Sequence, residues 1–162
     1  MKFEKVRRGC FYNDSMTNGF APSEEIYDSI KIPVRKTSGS AAYDFSTPFE
    51  LTLMPDERKI VPTGIKAVME KGEVLLITVR SSVGIKDGVV FSNSLAVIDS
   101  DYANNEANDG DIHLALWNTS DNIVTYKAGE RLAQGFFVKF DTTEDDDASG
   151  IRKGGIGSTD DD

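Results

Sequence analysis

Short apolar runs separated by turn residues recur along most of the chain. The clearest alternation falls at residues 112–117, where successive side chains would face opposite sides of a strand. Other apolar runs begin and end at Gly, Pro, Asn or Asp residues, as expected of strands joined by tight turns. These runs are predicted as strands at residues 49–53, 60–61, 65–69, 74–79, 88–91, 95–98, 123–126 and 132–140. About ten short, evenly spaced strands predict a compact all-β sandwich, jelly roll or barrel.

The first thirty-odd residues have a mixed pattern. Ser23 precedes Glu24 and Glu25, a capping arrangement that predicts one short helix. Residues 30–34 alternate like an edge strand, where Pro33 would be tolerated. No longer helix is predicted elsewhere.

Size and charge divide the chain in two. Its 162 residues suit a single domain with a real core. We predict a β-rich domain over residues 1–140 and a mobile, acidic and glycine-rich arm over residues 141–162. The formal charge is −9, of which the arm contributes −6 and the body only −3.

Composition argues against several classes of partner. An acidic chain does not favour direct nucleic-acid binding, which normally leaves a basic patch. No apolar run approaches the ~20 residues that span a bilayer, and residues 1–10 lack the apolar core of a secretory signal. Cys10 is the single cysteine, so no internal disulfide can form. These features predict a cytoplasmic protein without membrane contact.

One stretch places a carboxylate where its charge is hard to explain by folding alone. Asp99 directly follows the apolar run 95–98, and Tyr102 lies three residues further on. A carboxylate on a pocket floor could polarise a water molecule, and the aromatic ring could pack flat against a ligand. Asp101 is a second acid in the same stretch.

Three further motifs carry phosphate-binding chemistry. Arg80, Ser81 and Ser82 follow a predicted strand and offer a guanidinium fork and hydroxyl donors, although a surface turn has the same composition. Gln134 lies among apolar residues, where a buried amide needs a partner; the duller interpretation is a hairpin turn. Residues 152–159 combine Arg152 and Ser158 with glycines whose backbone N–H groups could converge on an anion. The alternative, which the composition alone favours, is a disordered glycine-rich tail.

The acids do not predict a protein-held metal ion. Their spacing matches neither an EF-hand nor a zinc signature, and the chain has one histidine and one cysteine. His113 is interpreted as a strand residue.

Taken together and in order, five motifs resemble those of the trimeric deoxyuridine triphosphate nucleotidohydrolases (dUTPases). They are residues 41–45, 80–82, 93–102, 129–134 and 152–159. The resemblance implies a jelly-roll-like β fold and a homotrimer whose active sites are shared between subunits. It also implies a C-terminal arm that closes over a neighbour's site.

The same resemblance implies an activity. The expected reaction is hydrolysis of dUTP to dUMP and pyrophosphate by water attack on the α-phosphorus, which keeps uracil out of DNA and supplies dUMP for thymidylate synthesis. Asp99 would polarise the water, Asn93 would contact the uracil edge, and Tyr102 would leave no room for a 2′-hydroxyl. Asp44 would organise the arginines. Mg²⁺ is expected on the triphosphate, held through phosphates and waters.

Motifs two, four and five supply the remaining contacts that the resemblance implies. Ile156 stands where an aromatic residue commonly stacks on uracil, so an apolar cap is expected there. The substrate-binding residues implied in these motifs are Arg80, Ser81, Ser82, Gln134, Arg152, Gly155, Ile156 and Ser158.

Two alternatives use the same scaffold. The related dCTP deaminases need a glutamate to carry protons on the strand after the third motif, where this chain has Ala115. A nucleotide-responsive regulatory protein, with hydrolysis secondary or absent, is the other alternative. Release of ammonia from dCTP would identify the first.

Overall fold

The computed structural model describes residues 1–150, 152 and 154. Eleven strands and three helices lie within these residues. In chain order they are β1 (Lys2–Lys5), α1 (Arg8–Thr17), α2 (Glu24–Ser29), β2 (Tyr43–Ser46), β3 (Leu51–Leu53), β4 (Arg58–Pro62), β5 (Ile65–Val68), β6 (Glu73–Val79), α3 (Ser81–Lys86), β7 (Val89–Phe91), β8 (Ala96–Asp99), β9 (His113–Asn118), β10 (Val124–Tyr126) and β11 (Arg131–Lys139).

Antiparallel pairing organises the strands, which confirms the all-β prediction. One sheet has the order β2-β11-β6-β8 and a second has the order β4-β9-β7. Two-stranded ribbons, β1-β5 and β10-β3, complete the fold. Buried side chains from both larger sheets, such as Ile77 and Leu132 from the first and Val61 and Leu114 from the second, belong to one hydrophobic core.

The alternation at residues 112–117 is confirmed in β9. Ile112, Leu114 and Leu116 are fully buried, while the side chains between them are partly exposed. A period of two places one set of side chains in the core and the other on the opposite face. The apolar segment before residue 140 likewise forms β11, the central strand that pairs with both β2 and β6.

One prediction for the N-terminal region is confirmed and one is wrong. Ser23 caps α2, and its hydroxyl accepts a hydrogen bond from the Ile26 backbone N–H at 3.2 Å. Residues 30–34 do not form a strand, since only Val34 makes an isolated bridge, to Asp44. Pro33 has no N–H to donate to a ladder, which limits pairing here to that single contact.

Helix α1 was not predicted. Its N-cap residue, Arg7, makes no side-chain capping bond, so the usual sequence marker is missing. The helix is held instead by packing: Phe11 is fully buried and stacks on Phe49, with ring centroids 5.7 Å apart. Tertiary contact therefore decides this helix more than local propensity does.

Residues 141–150 are exposed and lie outside helices and strands. The mobility predicted for the arm that they begin stays a prediction. Among the described residues, no helix has the length and apolar character needed to span a bilayer.

Candidate active site

A carboxylate joins two arginines at one edge of the larger sheet. Asp44 Oδ1 lies 3.2 Å from Arg80 Nε, and Asp44 Oδ2 accepts a hydrogen bond from Arg131 at 2.6 Å. Arg80 also approaches the Arg131 carbonyl oxygen at 3.4 Å. Because both carboxylate oxygens are engaged, the two guanidinium groups are held in fixed positions.

Strand register brings this cluster together. Asp44 on β2 lies opposite Gln134 on β11, while Arg80 follows the end of β6, the strand on the other side of β11. An open cleft of about 350 Å³ is lined in part by Asp44, Arg80, Gln134 and Lys36. The structure thus brings together Asp44, Arg80 and Gln134, three of the residues singled out from the sequence.

Ser81 and Ser82 are the first two residues of α3, and both are exposed. Arg80 occupies the N-cap position of this helix, where its guanidinium, which has no acceptor, cannot cap the helix; it contacts Asp44. Ser82 and Arg80 also line a second cleft, of about 320 Å³, together with Arg131. Hydroxyl and guanidinium donors are therefore available on the same surface.

Asp99 ends β8, and its side chain is 49% exposed. Arg152 donates a hydrogen bond to Asp99 through one nitrogen and to Asp101 through Nε, the latter at 2.9 Å. The arginine of the fifth motif therefore lies on the two acids of the third motif in the same chain. The pairing neutralises a carboxylate that is otherwise available to solvent.

Tyr102 is buried and locked in place by its hydroxyl. The phenol donates to the Asp111 carbonyl oxygen at 2.8 Å and accepts from Asn108 Nδ2 at 2.9 Å. Burial raises the pKa of this phenol. The Arg152 guanidinium carbon lies 6.0 Å from the ring centroid, which places Tyr102 beside the Asp99 group.

Asn93 lies in the turn between β7 and β8, where it is exposed. The next residue, Ser94, has a φ of 64°, a left-handed conformation that a tight turn imposes. This geometry leaves Asn93 exposed to solvent in the turn that connects the two larger sheets.

The two groups of site residues lie at opposite ends of one strand. Asp99 is paired with Val74 near the start of β6, whereas Arg80 follows Val79 at its end. Six residues of extended chain separate the two ends by roughly 20 Å. One chain therefore does not bring the Asp99 carboxylate to Asp44, Arg80 and Arg131, which together form the Asp44 cluster.

Three predicted substrate contacts, Gly155, Ile156 and Ser158, lie outside the described residues. One cluster was missed from the sequence: Asp14, Asp111 and His113 bring one ligand atom each to within 4.8 Å of one another. Asp111 and His113 are two residues apart, a spacing that places both on one face of an extended segment. Asp14 comes from the unpredicted α1, so the third member left no local marker.

Comparison with known proteins decides the family. A sequence model of the dUTPase family matches residues 28–160. The chain belongs to the dUTPase family. The deoxyuridine 5′-triphosphate nucleotidohydrolase of Lactococcus lactis is 42% identical over 132 residues, covering 80% of this chain and 88% of the relative.

Solved structures of the dUTPase family share the fold. The crystal structure of dUTPase from Streptococcus mutans has a TM-score of 0.71 and 34% identity, covering 89% of this chain and 99% of that one. A variant of the dUTPase from phage phi11 of S. aureus, with a TM-score of 0.61 and 22% identity, covers 80% of this chain and 94% of that one. The structure of that variant reveals the coordination of a structural Mg(II) ion.

Proposed function

We propose that this chain hydrolyses dUTP to dUMP and pyrophosphate by attack of water on the α-phosphorus. The observation that carries the proposal is the double pairing of Asp44, which holds Arg80 and Arg131 beside a polar cleft in a member of the dUTPase family. Phosphoryl displacement depends mainly on positioning and on neutralising charge, and two fixed guanidiniums supply both. Such an enzyme keeps uracil out of DNA and supplies dUMP for thymidylate synthesis.

At this cleft the phosphate chain binds Arg80 and Gln134 and the hydroxyls of Ser81 and Ser82. Asp44 acts as a positioning residue, because it contacts the guanidiniums and leaves their remaining N–H donors for the phosphates. Arg131, which sequence reasoning did not include among the binding residues, joins the set through its contact with Asp44.

The nucleoside end of the substrate binds around the third motif. Asp99 accepts a hydrogen bond from the attacking water and raises its nucleophilicity. Tyr102 packs against the deoxyribose, and its fixed ring leaves no space for a 2′-hydroxyl. The Asn93 amide contacts the uracil edge.

Arg152 has two positions in this proposal. In one, it donates hydrogen bonds to the carboxylates of Asp99 and Asp101. With substrate it leaves Asp99 for the phosphate chain, which carries more negative charge, and the freed Asp99 can orient the water. Arm residues Gly155, Ile156 and Ser158 keep the substrate contacts that the resemblance implies, as predictions.

The separation of roughly 20 Å along β6 supports a homotrimer with shared sites. Asp99 and Tyr102 from one subunit would meet the Asp44 cluster of a neighbour at their interface. The arm, residues 141–162, would supply Arg152 to complete the site. Closed cyclic symmetry makes three such sites equivalent.

The reaction is proposed to use Mg²⁺ bound to the substrate phosphates. The described residues suit this arrangement, since Asp99 and Asp101 are half-exposed carboxylates that can accept hydrogen bonds from metal-bound waters. Mg²⁺ supplies neutralisation of the charge on the phosphate oxygens. The chain itself fixes the direction of attack through Asp99 and the guanidinium donors.

We further propose that the enzyme acts in the cytoplasm on free nucleotides, without binding nucleic acid or membranes. A single cysteine and the acidic charge of −9 support this. No specific observation favours deamination or a purely regulatory role. In particular, Ala115 has no proton to transfer at the position where deamination needs a glutamate.

Pyrophosphate release from dUTP, UTP, dCTP and dTTP with Mg²⁺ tests the proposal. We expect rapid cleavage of dUTP alone, with UTP slower because the Tyr102 ring excludes its 2′-hydroxyl. Ammonia release from dCTP, or equal rates with dUTP and UTP, would contradict it. Removal of Mg²⁺ with EDTA should abolish turnover.

A further inference from the structure

Behind Tyr102 lies a polar cluster that the proposed reaction does not use. His113 Nε2 lies 2.8 Å from Asp14 Oδ2. Asp111 is close by: one oxygen of each carboxylate and one ring nitrogen all lie within 4.8 Å of one another. Asp111 is fully buried, while the Asp14 and His113 side chains are only 18% and 14% exposed.

Two separate parts of the chain build this cluster. Asp111 and His113 flank the fully buried Ile112, so their side chains share the face opposite to it. On α1, Asp14 follows Phe11 by three residues, and such a spacing places both on one helix face. Because Phe11 is in the core, Asp14 also faces the body of the protein.

Asp111 has one oxygen satisfied and one without a partner. Its Oδ1 accepts a hydrogen bond from the Gly64 backbone N–H at 2.8 Å. Its Oδ2 is buried and has no hydrogen-bond partner among the described residues. An unsatisfied buried carboxylate oxygen is costly, so this atom points to a group that binds it.

The charges of the cluster show what that group must supply. With both carboxylates ionised, the cluster carries a net charge of −1 when the imidazole is protonated and −2 when it is neutral. Burial raises the pKa of Asp111 to about 7, which reflects the cost of this charge. Burial opposes charge on His113 too, but the hydrogen bond to Asp14 and the charge of Asp111 raise its pKa above the ordinary value.

Cationic side chains near this region are already engaged. Lys66 Nζ lies 3.1 Å from Asp109 Oδ2 and 2.6 Å from Asn104 Oδ1. Arg7 also contacts Asp109, with Nε 3.5 Å from Oδ1. Asp109 is thus neutralised by side chains of the protein, whereas the orphan oxygen of Asp111 is not.

We propose that Asp14, Asp111 and His113 form a binding site for a divalent transition-metal ion of the zinc class. Carboxylate oxygens and an imidazole nitrogen are zinc ligands, with bonds of about 2.0–2.2 Å. Tetrahedral ligands at that distance lie about 3.3 Å apart, so small side-chain rotations convert the present arrangement into a three-ligand site. A water molecule would complete the coordination.

The donor set separates this ion from the magnesium of the phosphate chain. Mg²⁺ prefers oxygen ligands and keeps its waters, whereas an imidazole in a dry cluster suits zinc. The position also suggests a structural role, because the Asp111 carbonyl oxygen accepts the Tyr102 hydroxyl at 2.8 Å. A bound ion would fix the segment that anchors the Tyr102 ring.

Isothermal titration of the full chain with ZnCl₂, without nucleotide, tests the site. We expect one zinc per chain. Asp111→Asn and Asp14→Asn should each weaken binding by about tenfold or more, since each removes one anionic ligand. Asp28→Asn, a matched change on exposed α2, should bind zinc like the unchanged protein.

Cys10 provides a second control. It lies four residues before Asp14 on the same face of α1, and its thiol is an alternative zinc ligand. Cys10→Ser should retain full zinc affinity if the donors are those proposed. Loss of binding in Cys10→Ser would overturn the donor set. Absence of zinc binding by the unchanged protein up to millimolar zinc, or unaltered affinity in both aspartate variants, would overturn the site itself.

Thermal unfolding separates binding from misfolding. Zinc should raise the Tm of the unchanged protein and of Asp28→Asn, while Asp14→Asn, folded by circular dichroism, should show a smaller shift. Saturating Mg²⁺ should leave the zinc affinity unchanged. Displacement of zinc by equimolar Mg²⁺ would overturn the assignment to the zinc class.

Discussion

Asp99 and Asp101 share one partner, since Arg152 donates a hydrogen bond to each carboxylate. Their exposures are also similar, at 49% and 56% of the side chain. Local charge therefore does not separate them. What separates them is the role that the family resemblance implies for Asp99, which can be tested by changing each alone.

Asp99→Asn should lower the kcat for dUTP by roughly a hundredfold or more, because an amide does not polarise water as a carboxylate does. Asp101→Asn is the matched control and should lower kcat far less, although it removes the same charge from Arg152. Steady-state pyrophosphate release measures both. Equal losses in the two variants would show that Arg152 pairing, not water activation, is what the acids supply.

Asp44 is expected to act through the arginines that it holds. Asp44→Asn removes the charge from a carboxylate paired with both Arg80 and Arg131, so the guanidiniums lose their fixed orientation. We expect the KM for dUTP to rise roughly tenfold with a smaller change in kcat, since ground-state phosphate contacts are lost.

A surface carboxylate provides the comparison for Asp44. Asp56→Asn alters an exposed acceptor of the Trp117 indole N–H and should leave KM and kcat unchanged. Steady-state kinetics with both variants measure the split. A lower Tm for Asp44→Asn without a change in KM would indicate a purely structural role.

At the level of elements, the predictable parts of the fold are those with a periodic pattern. Strand β9 was predicted because Ile112, Leu114 and Leu116 keep a strict period of two. Helix α1 was not, because neither a cap nor a regular apolar face marks it, and the packing of Phe11 on Phe49 is a long-range contact. Local sequence carries the first kind of information and not the second.

The same distinction applies to the site. The motif containing Arg80 could be recognised locally, but its contact with Asp44 depends on the register of three strands. The pairing of Asp14 with His113 joins residues 99 positions apart, through a helix that the pattern does not predict. Residue types can be read from sequence, whereas their partners depend on the fold.

The loop between Tyr102 and β9 is an element whose structure depends on one glycine. Gly110 has a φ of +86°, and a Cβ there would lie 2.7 Å from Ala103 Cα and 2.8 Å from the Tyr102 carbonyl oxygen. Asn108, two residues before this glycine, and the carbonyl oxygen of Asp111, directly after it, hold the Tyr102 hydroxyl. Backbone movement at Gly110 should therefore reach the Tyr102 ring.

Gly110→Ala should lower the free energy of unfolding by roughly 3 kcal/mol, through left-handed strain and the close contacts. Gly19→Ala is the control: φ is +81° there, but a Cβ would meet nothing within 4 Å. It should cost only about 1 kcal/mol. Urea denaturation measures both, and the ratio of dUTP to UTP cleavage should fall in Gly110→Ala alone. Equal unfolding costs would contradict the contact argument.

For the whole molecule, the decisive fact is the distance between the two halves of the site. Asp99, on β8, lies opposite Val74 near the start of β6, whereas Arg80 follows the end of β6, roughly 20 Å away. If subunits share sites, an inactive Asp99→Asn chain and an inactive Arg80→Ala chain can complete each other. A site is complete when its Arg80 comes from the Asp99→Asn chain and its Asp99 comes from the Arg80→Ala chain.

Equal amounts of the two variants, refolded together so that subunits mix in the proposed trimer, should recover about one quarter of the activity of the unchanged protein. That fraction follows because random assembly gives each site a half chance of an intact Arg80 and an independent half chance of an intact Asp99. Asp99→Asn refolded with Asp99→Ala is the matched control and should stay inactive, since no chain supplies the carboxylate. A site built within one chain would leave both mixtures equally inactive, and pyrophosphate release from dUTP distinguishes the two outcomes.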